Sequence, residues 1–326
     1  MRKPRLIVFP DYVHSACSFW RAILPLNRIH KDGFIDIEIA DWNNTWTSLT
    51  KFDIAFFQRP MSAGCLKQIA MAKDLGCKVV IDLDDHNEIP NTHPVYSEYQ
   101  NLYDETSFMK TMMLADVVFT TNDSLKEHYS TYCNNIVVIP NAIDDSWLKQ
   151  RKQKNDKSIV IRAGNHHEHD IYYFKDQIIE VMYNHPDWVL QLIGSSPIFL
   201  EQEIENYFFV GDLQIRDYFA YILNSKSSIF AIPLIDNEFN RVKSNISWQE
   251  ATISGAVALT PEWFGLSEES VTYNCKNSFQ IGLEKLIIEE ETRIEKFNKS
   301  IETLKNNYYL SDVNKLRMDV FNNLLK

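Results

Sequence analysis

The chain has 326 residues, 45% of them hydrophobic, a net charge of −11, and five cysteines at positions 17, 65, 77, 133 and 275. That length supports two domains of ordinary size, and the apolar content excludes global disorder. The acidic balance argues against broad wrapping of nucleic acid, the odd cysteine count without a C-x-x-C pair against a disulfide framework or zinc knuckle, and no apolar run approaches the roughly 20 residues that span a bilayer.

Unpaired cysteines fit a reducing cytoplasm. After the basic start Met1-Arg-Lys-Pro-Arg, the apolar run Leu6-Ile-Val-Phe9 stops at Pro10-Asp11, which fits a first strand better than a signal peptide. A polar loop over residues 10–18 follows, without a glycine. A helix is expected over residues 19–29, with Pro25 kinking or shortening it. Ser15, Ala16 and Ser18 are small enough for close approach of a ligand, and Arg21 is either a surface cation or a group reaching into a cleft. Ile35-Asp-Ile-Glu-Ile39 alternates as an edge strand does. Ile54-Ala-Phe-Phe57 is a buried run ending in Gln58-Arg59-Pro60, which puts Arg59 at a strand's carboxyl end. A helix over 62–75 stops at Gly76, and Lys78-Val-Val-Ile81 is the next strand.

That strand delivers Asp82-Leu-Asp-Asp-His86. Three carboxylates within four residues repel one another unless something offsets them, a common sign of function. Three readings are open: a metal-binding D-x-D, a catalytic carboxylate or imidazole in Asp85 or His86, and acids that cap the following turn. A Pro- and His-containing loop over 87–100 is placed over the cleft mouth, and a helix over 106–114 comes next. Ala115-Asp-Val-Val-Phe-Thr-Thr-Asn-Asp-Ser124 reads as a strand and a helix capped by Asp123 or Ser124. Ile136-Val-Val-Ile139 and Pro140-Asn-Ala-Ile-Asp144 follow.

Residues 150–157 form a charged linker without an apolar side chain, after which strand–helix alternation restarts, as two Rossmann-like domains require. Ser158-Ile-Val-Ile-Arg-Ala163 is the strand and Gly164-Asn-His-His-Glu-His-Asp170 its loop. Adjacent residues rarely point at one ion, so a metal site on residues 166–169 is disfavoured. A helix over 171–183, strands at 188–193 and 208–211, and a helix over 215–224 lead to the buried run Ser228-Ile-Phe-Ala-Ile-Pro-Leu234.

A polar loop with Asp236, Asn237, Glu238, Asn240, Arg241 and Lys243 then precedes a helix expected to open near Ser244 and to end at Ser254, with Gly255 in the left-handed stop position. A capping box of Ser247 and Glu250 is the alternative start. With the strand over 256–259, this unit places a helix N-terminus at the carboxyl edge of a parallel sheet. Glu250 shares a helix face with Ile246 and Ile253, so its carboxylate needs partners: an internal ion pair, or a ligand's hydroxyls. Lys243 and the free amides of the helix start suit a diphosphate. Helices over 278–288, 290–307 and 311–326 finish the chain.

The run Asn240-Arg-Val-Lys-Ser-Asn-Ile-Ser-Trp-Gln-Glu-Ala-Thr-Ile-Ser-Gly-Ala256 resembles the nucleotide-sugar signature of GT-B glycosyltransferases, most closely the N-x-x-K-S…E-x-x-x-x-G pattern of family 4-like members. The stretches A-D-V-V-F-T-T-N-D-S-L at 115–125 and V-I-P-N-A-I-D at 138–144 are similar to that family's first domain. The resemblance implies an α/β fold of two Rossmann-like domains whose parallel sheets face an interdomain cleft. It places an acceptor-side domain at 1–149, a nucleotide-sugar domain at 158–310, and a terminal helix, 311–326, packing back on the first domain. It implies a diphosphate held by Lys243, Ser244 and the helix start, a ribose held by Glu250, and a phosphate-contacting base and close-approach glycine at Arg162 and Gly164. The lysine expected a few residues later is absent, with His166, His167 or His169 in its place. Position 242, where the family often has a glutamate, is valine, which leaves Glu238 or Asn240 for the sugar. Base recognition falls around residues 210–213. On the acceptor side the resemblance implies catalytic roles for Asp85 and His86, with Ser18, Arg21 and Arg59 beside them.

The implied activity is transfer of a sugar from a nucleotide-diphosphate sugar to an acceptor hydroxyl, with retention of configuration and without a metal or other cofactor. The glycine-free first loop resembles divergent bacteriophage glycosyltransferases, some of which modify hydroxylated bases in DNA. Saccharide, protein and DNA acceptors therefore all stay open. An inactive nucleotide-sugar-binding module and a nucleotide-sugar epimerase are the rival expectations.

Overall fold

The computed structural model describes residues 2–40, 49–91, 93, 96–149, 151–163, 167–195 and 197–326. Its strands form two six-stranded sheets, every pairing parallel. The first runs β2-β1-β3-β4-β5-β6 and is built from β1 (Arg5–Phe9), β2 (Asp36–Ile39), β3 (Ile54–Gln58), β4 (Lys78–Leu83), β5 (Val117–Thr120) and β6 (Ile136–Val138). The second runs β12-β11-β10-β7-β8-β9, from β7 (Asp156–Ala163), β8 (Val189–Gly194), β9 (Tyr207–Gly211), β10 (Ser227–Ala231), β11 (Val257–Pro261) and β12 (Val271–Tyr273). This is the α/β architecture of two doubly wound halves. In each sheet the strand order reverses once, between β1 and β3 and between β7 and β10, and ligands bind such folds at the carboxyl ends beside that reversal.

The apolar runs are continuous because helices cover both faces of each sheet. In β1, Ile7 and Phe9 enter one core cluster while Leu6 and Val8 enter the other. In β7, Ile159 and Ile161 face one side and Val160 the other. The alternating acid–apolar strand lies at the sheet edge as β2. The last helix, Leu310–Leu324, buries Leu310, Val313 and Phe321 against Leu6, Val8 and Phe56 of the first sheet.

Three local differences from the sequence reading have physical causes. The first long helix is not shortened at Pro25. It winds from residue 16 to 31 with a π-helical segment, Phe19–Ile23, between α-helical segments Ala16–Ser18 and Leu24–Lys31, and Pro25 falls in the first turn after the wide segment. The helix expected over 171–183 is two helices, Glu168–Tyr173 and Lys175–Asn184, broken at Phe174, which ends one, starts the other and is buried in the core. The loops over 87–100 and 235–243 each hold a short helix, Tyr96–Leu102 and Glu238–Arg241, the second capped by the Asn237 side chain on Asn240 N at 2.8 Å.

Candidate active site

The carboxyl ends of both sheets converge on one cleft. From the first domain, Ala16, Cys17 and Trp20 reach it after β1, Arg59 after β3, Asp84 and Asp85 after β4, and Asn141 after β6. The second domain supplies Arg162 at the end of β7, His167 just beyond it, residues 232–234 after β10, and Lys243, Ser244, Ile246 and Ser247 at the start of the helix Ile246–Ser254. Strands at both order reversals thus open on the same space, as the fold rule requires.

Lys243 faces the cleft. Its Nζ lies 3.2 Å from Asp85 Oδ2 across the domain boundary and 4.1 Å from the centroid of the Phe239 ring. Burial alone would raise the pKa of Asp85, but Lys243 and Arg59 outweigh it and hold the carboxyl below its ordinary value, so it is ionised at neutral pH. Arg59 is the one non-glycine residue with a left-handed backbone among the described residues, at φ 46°. Such a conformation costs of order 1–3 kcal/mol and survives where neighbours impose it. Here the Arg59 amide donates to Asp82 O at 3.0 Å, and its guanidinium pairs with Asp84 and lies 3.6 Å from Asp85. The three aspartates of the D-L-D-D-H run therefore diverge: Asp82 pairs with Arg21, Asp84 with Arg59, and Asp85 with Lys243 while sharing Arg59. Beside them, burial pushes the Cys17 thiol up to about 12, which keeps it neutral in the cleft wall.

The helix Ile246–Ser254 starts without a side-chain cap. Asn245 Oδ1 accepts instead from Gln249 Nε2 at 3.0 Å, and Asn245 Nδ2 donates to Tyr308 Oη at 2.9 Å. Uncapped first-turn amides and the helix dipole favour an anion at this end. Ser244 sits there and accepts from Asn141 Nδ2 at 2.9 Å, a second bond between the domains. The helix closes at Gly255, φ 94°, as its sequence indicated.

Glu250 is fully buried, as its inward helix face required, and its carboxylate has internal partners. Its oxygens receive Tyr218 Oη at 2.8 Å and Trp20 Nε1 at 3.3 Å, and Arg162 Nε lies 3.4 Å away. Its role here is to hold Arg162, which also lies over the Tyr218 ring, 5.5 Å from the centroid. Burial would lower the pKa of the guanidinium, and the Glu250 carboxylate more than restores it. A ribose hydroxyl would have to displace one of these donors.

Four other expected positions differ from the sequence reading. Arg21 does not reach the cleft: it is fully buried in a two-bond pair with Asp82, at 2.9 and 2.8 Å, and donates to Ile139 O and Asn141 Oδ1. Ser18 is buried beneath the first loop, donating to Gln58 Oε1 at 2.8 Å and accepting from Tyr12 N. His86 is not among the residues lining the cleft, its ring lying 3.8 Å from that of His128 and its Nδ1 accepting from Glu88 N at 2.9 Å. Asn240 is buried as well, donating to Asp170 Oδ1 at 3.0 Å and Ile235 O at 2.9 Å. Val210 and Leu213 pack against the core cluster that holds Tyr218 and Trp248. Gly164 and His166 lie outside the described residues. Sequence reasoning missed Trp20, Cys17 and Asn141 as cleft residues and Asp170 as a partner of His167, at 2.8 Å.

No protein-family model matches the sequence, and no curated protein is significantly similar to it. Solved structures are similar in fold. A UDP-forming α,α-trehalose-phosphate synthase from Burkholderia xenovorans superposes with a TM-score of 0.67 at 11% identity, covering 100% of both chains. An α-glucosyltransferase in complex with UDP and a 13-mer DNA containing an HMU base gives 0.66 at 12% identity, again over 100% of both chains. Anabaena HepE in complex with UDP and glucose gives 0.66 at 9% identity, covering 98% of this chain and 100% of that one. The class defined is therefore the GT-B glycosyltransferase fold, carried over the full length of the chain.

Proposed function

We propose that this chain is a glycosyltransferase that moves a hexosyl or pentosyl group from a nucleotide-diphosphate sugar, a UDP-sugar first among them, to an acceptor hydroxyl. The observation that carries the reading is the convergence of Lys243, Arg162 and an uncapped helix start on one side of a cleft at the strand-order reversal. In the reaction the bond between the sugar and the β-phosphate oxygen breaks and negative charge grows on the leaving diphosphate. Fixed cations and amides aimed at that charge stabilise the transition state, typically by 10²–10³ in rate per donor removed. They stand where a metal ion would otherwise be needed, so the transfer is metal-independent in this reading.

Asp85 supplies the opposite charge. While no donor is bound its carboxylate neutralises Lys243. A diphosphate arriving at Lys243 releases it toward the acceptor side, where an ionised carboxylate stabilises positive charge on the sugar or takes the acceptor's proton. Arg59, pinned between Asp84 and Asp85, positions that carboxylate. The acceptor is a saccharide or a hydroxylated DNA base, the outcome is retention, and the compartment is a reducing cytoplasm, consistent with five free cysteines.

The test is UDP release from UDP-sugars across a panel of acceptors, with Lys243→Ala alongside. A drop of roughly 10²-fold or more supports the reading, and unchanged turnover sinks it. Nucleotide binding without turnover on any acceptor would assign a binding module, and conversion of donor alone an epimerase.

A further inference from the structure

We propose that His167 is a third ligand of the donor diphosphate, one that takes up a proton as the nucleotide binds and returns it to the leaving phosphate. This rests on the glycosyltransferase reading above and assigns a role that neither Lys243 nor Arg162 can fill, since both are cationic before and after binding.

The argument begins with Asp170. It is fully buried, and its carboxylate is fixed by three donors: His167 Nδ1 at 2.8 Å, Ile235 N at 2.9 Å and Asn240 Nδ2 at 3.0 Å. Asn240 is itself tied to Ile235 O, so the loop after β10 is built around this carboxylate. An acceptor-only carboxylate on Nδ1 sets the tautomer: Nδ1 carries the hydrogen, and Nε2 is left to act on other groups. The same device holds the imidazole in hydrolytic triads, where the buried carboxylate stabilises the imidazolium once it forms. His167 is 28% exposed and lines the cleft with Lys243 and Arg162.

The charged and titratable groups facing the ring come from three elements. Asp170 and His169, the latter with Nε2 3.8 Å from Asp170 Oδ1, lie on the ring's own helix. Arg162 comes from β7, and Lys243 from the loop after β10 with Asp85 of the first domain on its far side. Burial holds the ring below its ordinary pKa of 6.5, the hydrogen bond to Asp170 opposes this, and Lys243 and Arg162 add to the lowering. Without an anion the ring is therefore neutral near pH 7. A diphosphate neutralises the two cations and favours the imidazolium, so the neutral ring takes a proton from solvent onto Nε2. When the sugar–oxygen bond breaks, its electron pair stays on the β-phosphate oxygen, the Nε2 proton passes to that phosphate, and neutral His167 is restored.

The experiment is calorimetric titration of the full-length protein with UDP at about pH 7.5 in two buffers of different ionisation enthalpy, which counts protons taken up per nucleotide. Wild type should take up a substantial fraction of one proton. His167→Gln should bind UDP roughly tenfold more weakly and lose that uptake, and Asp170→Asn should reduce it while UDP still binds. Equal proton counts in wild type and His167→Gln would overturn the proposal, because a purely structural histidine changes affinity without changing stoichiometry. Failure of wild type to bind UDP, ADP or GDP would overturn the glycosyltransferase reading, and this proposal with it.

Discussion

Glu250 has the internal partners that one of its two sequence readings called for. Its carboxylate is buried under Trp20, Tyr218 and Arg162, so Glu250→Ala strands a guanidinium and two donors and should cost roughly 3–5 kcal/mol of stability. Urea denaturation checks this, and a loss under about 1 kcal/mol would contradict the buried pairing. Because the carboxylate acts through Arg162, Glu250→Gln should weaken UDP and inorganic pyrophosphate alike. A residue that bound ribose would weaken UDP alone. Asp85 makes a second prediction. Its folded pKa lies below the ordinary 3.8, so its pairing stabilises the fold fully above that value and is lost as pH falls through the folded value. Asp85→Asn should flatten that acid limb in denaturation midpoints taken from about pH 6 downward, and an unchanged limb would refute the assignment. At this scale the sequence marked charged residues well and their directions poorly. Asp82, Asp84 and Asp85 form one acidic run on paper, yet they pair with cations from positions 21, 59 and 243, contacts set by topology rather than spacing.

Elements were more legible than side chains. The helix Ile246–Ser254 was expected within two residues at its start and to the residue at its end, because Gly255 is in the left-handed region at φ 94°. A Cβ at Gly255 would lie 2.8 Å from Lys152 O, whereas one at Gly76, φ 88°, meets nothing within 4 Å. Gly76→Ala should therefore cost only the roughly 1–2 kcal/mol of the backbone conformation. Gly255→Ala should cost more, and thermal melts of the two variants giving equal losses would speak against the crowding. The linker's end is tied to the same glycine, since Lys154 N donates to Gly255 O at 2.8 Å. The elements that sequence missed were brief ones: Glu238–Arg241 is a single turn whose apolar spacing is too short to register, and Phe174 interrupts a helix only because the core claims its ring.

At the scale of the whole molecule the two halves are bonded to each other through the groups that line or underlie the cleft. Trp20 meets Glu250, Asp85 meets Lys243, Asn141 meets Ser244, and Asn122 Nδ2 donates to Val242 O at 2.8 Å. Val242 packs into the first domain's core. Trp20 also contacts Trp147 and Phe219 edge-on, at 6.0 and 5.2 Å between ring centroids. Trp20→Ala should therefore loosen the halves, enlarging the radius of gyration in small-angle scattering and exposing the linker to protease. Identical scattering and cleavage would show that the bond to Glu250 does not join them. Two domains were legible from the restarted alternation after the charged linker. Their mutual grip was not, because it runs through single side chains separated by more than a hundred positions.

The π-helical segment Phe19–Ile23 has a consequence for register. A wide turn holds about one residue more than an α-turn, and each residue turns the helix by roughly 100°. Within it, neighbours Trp20 and Arg21 are sent to opposite tasks, one into the second domain and one down to Asp82. Removing Ala22 would take out the extra residue that the wide turn absorbs and restore ordinary winding with the flanking turns in phase, so the change would fall on the wide turn itself, where the indole and the guanidinium are aimed at their separate carboxylates. A shortening by one small residue, far in sequence from Lys243 and Glu250, would thus bear directly on the contacts through which the two halves meet.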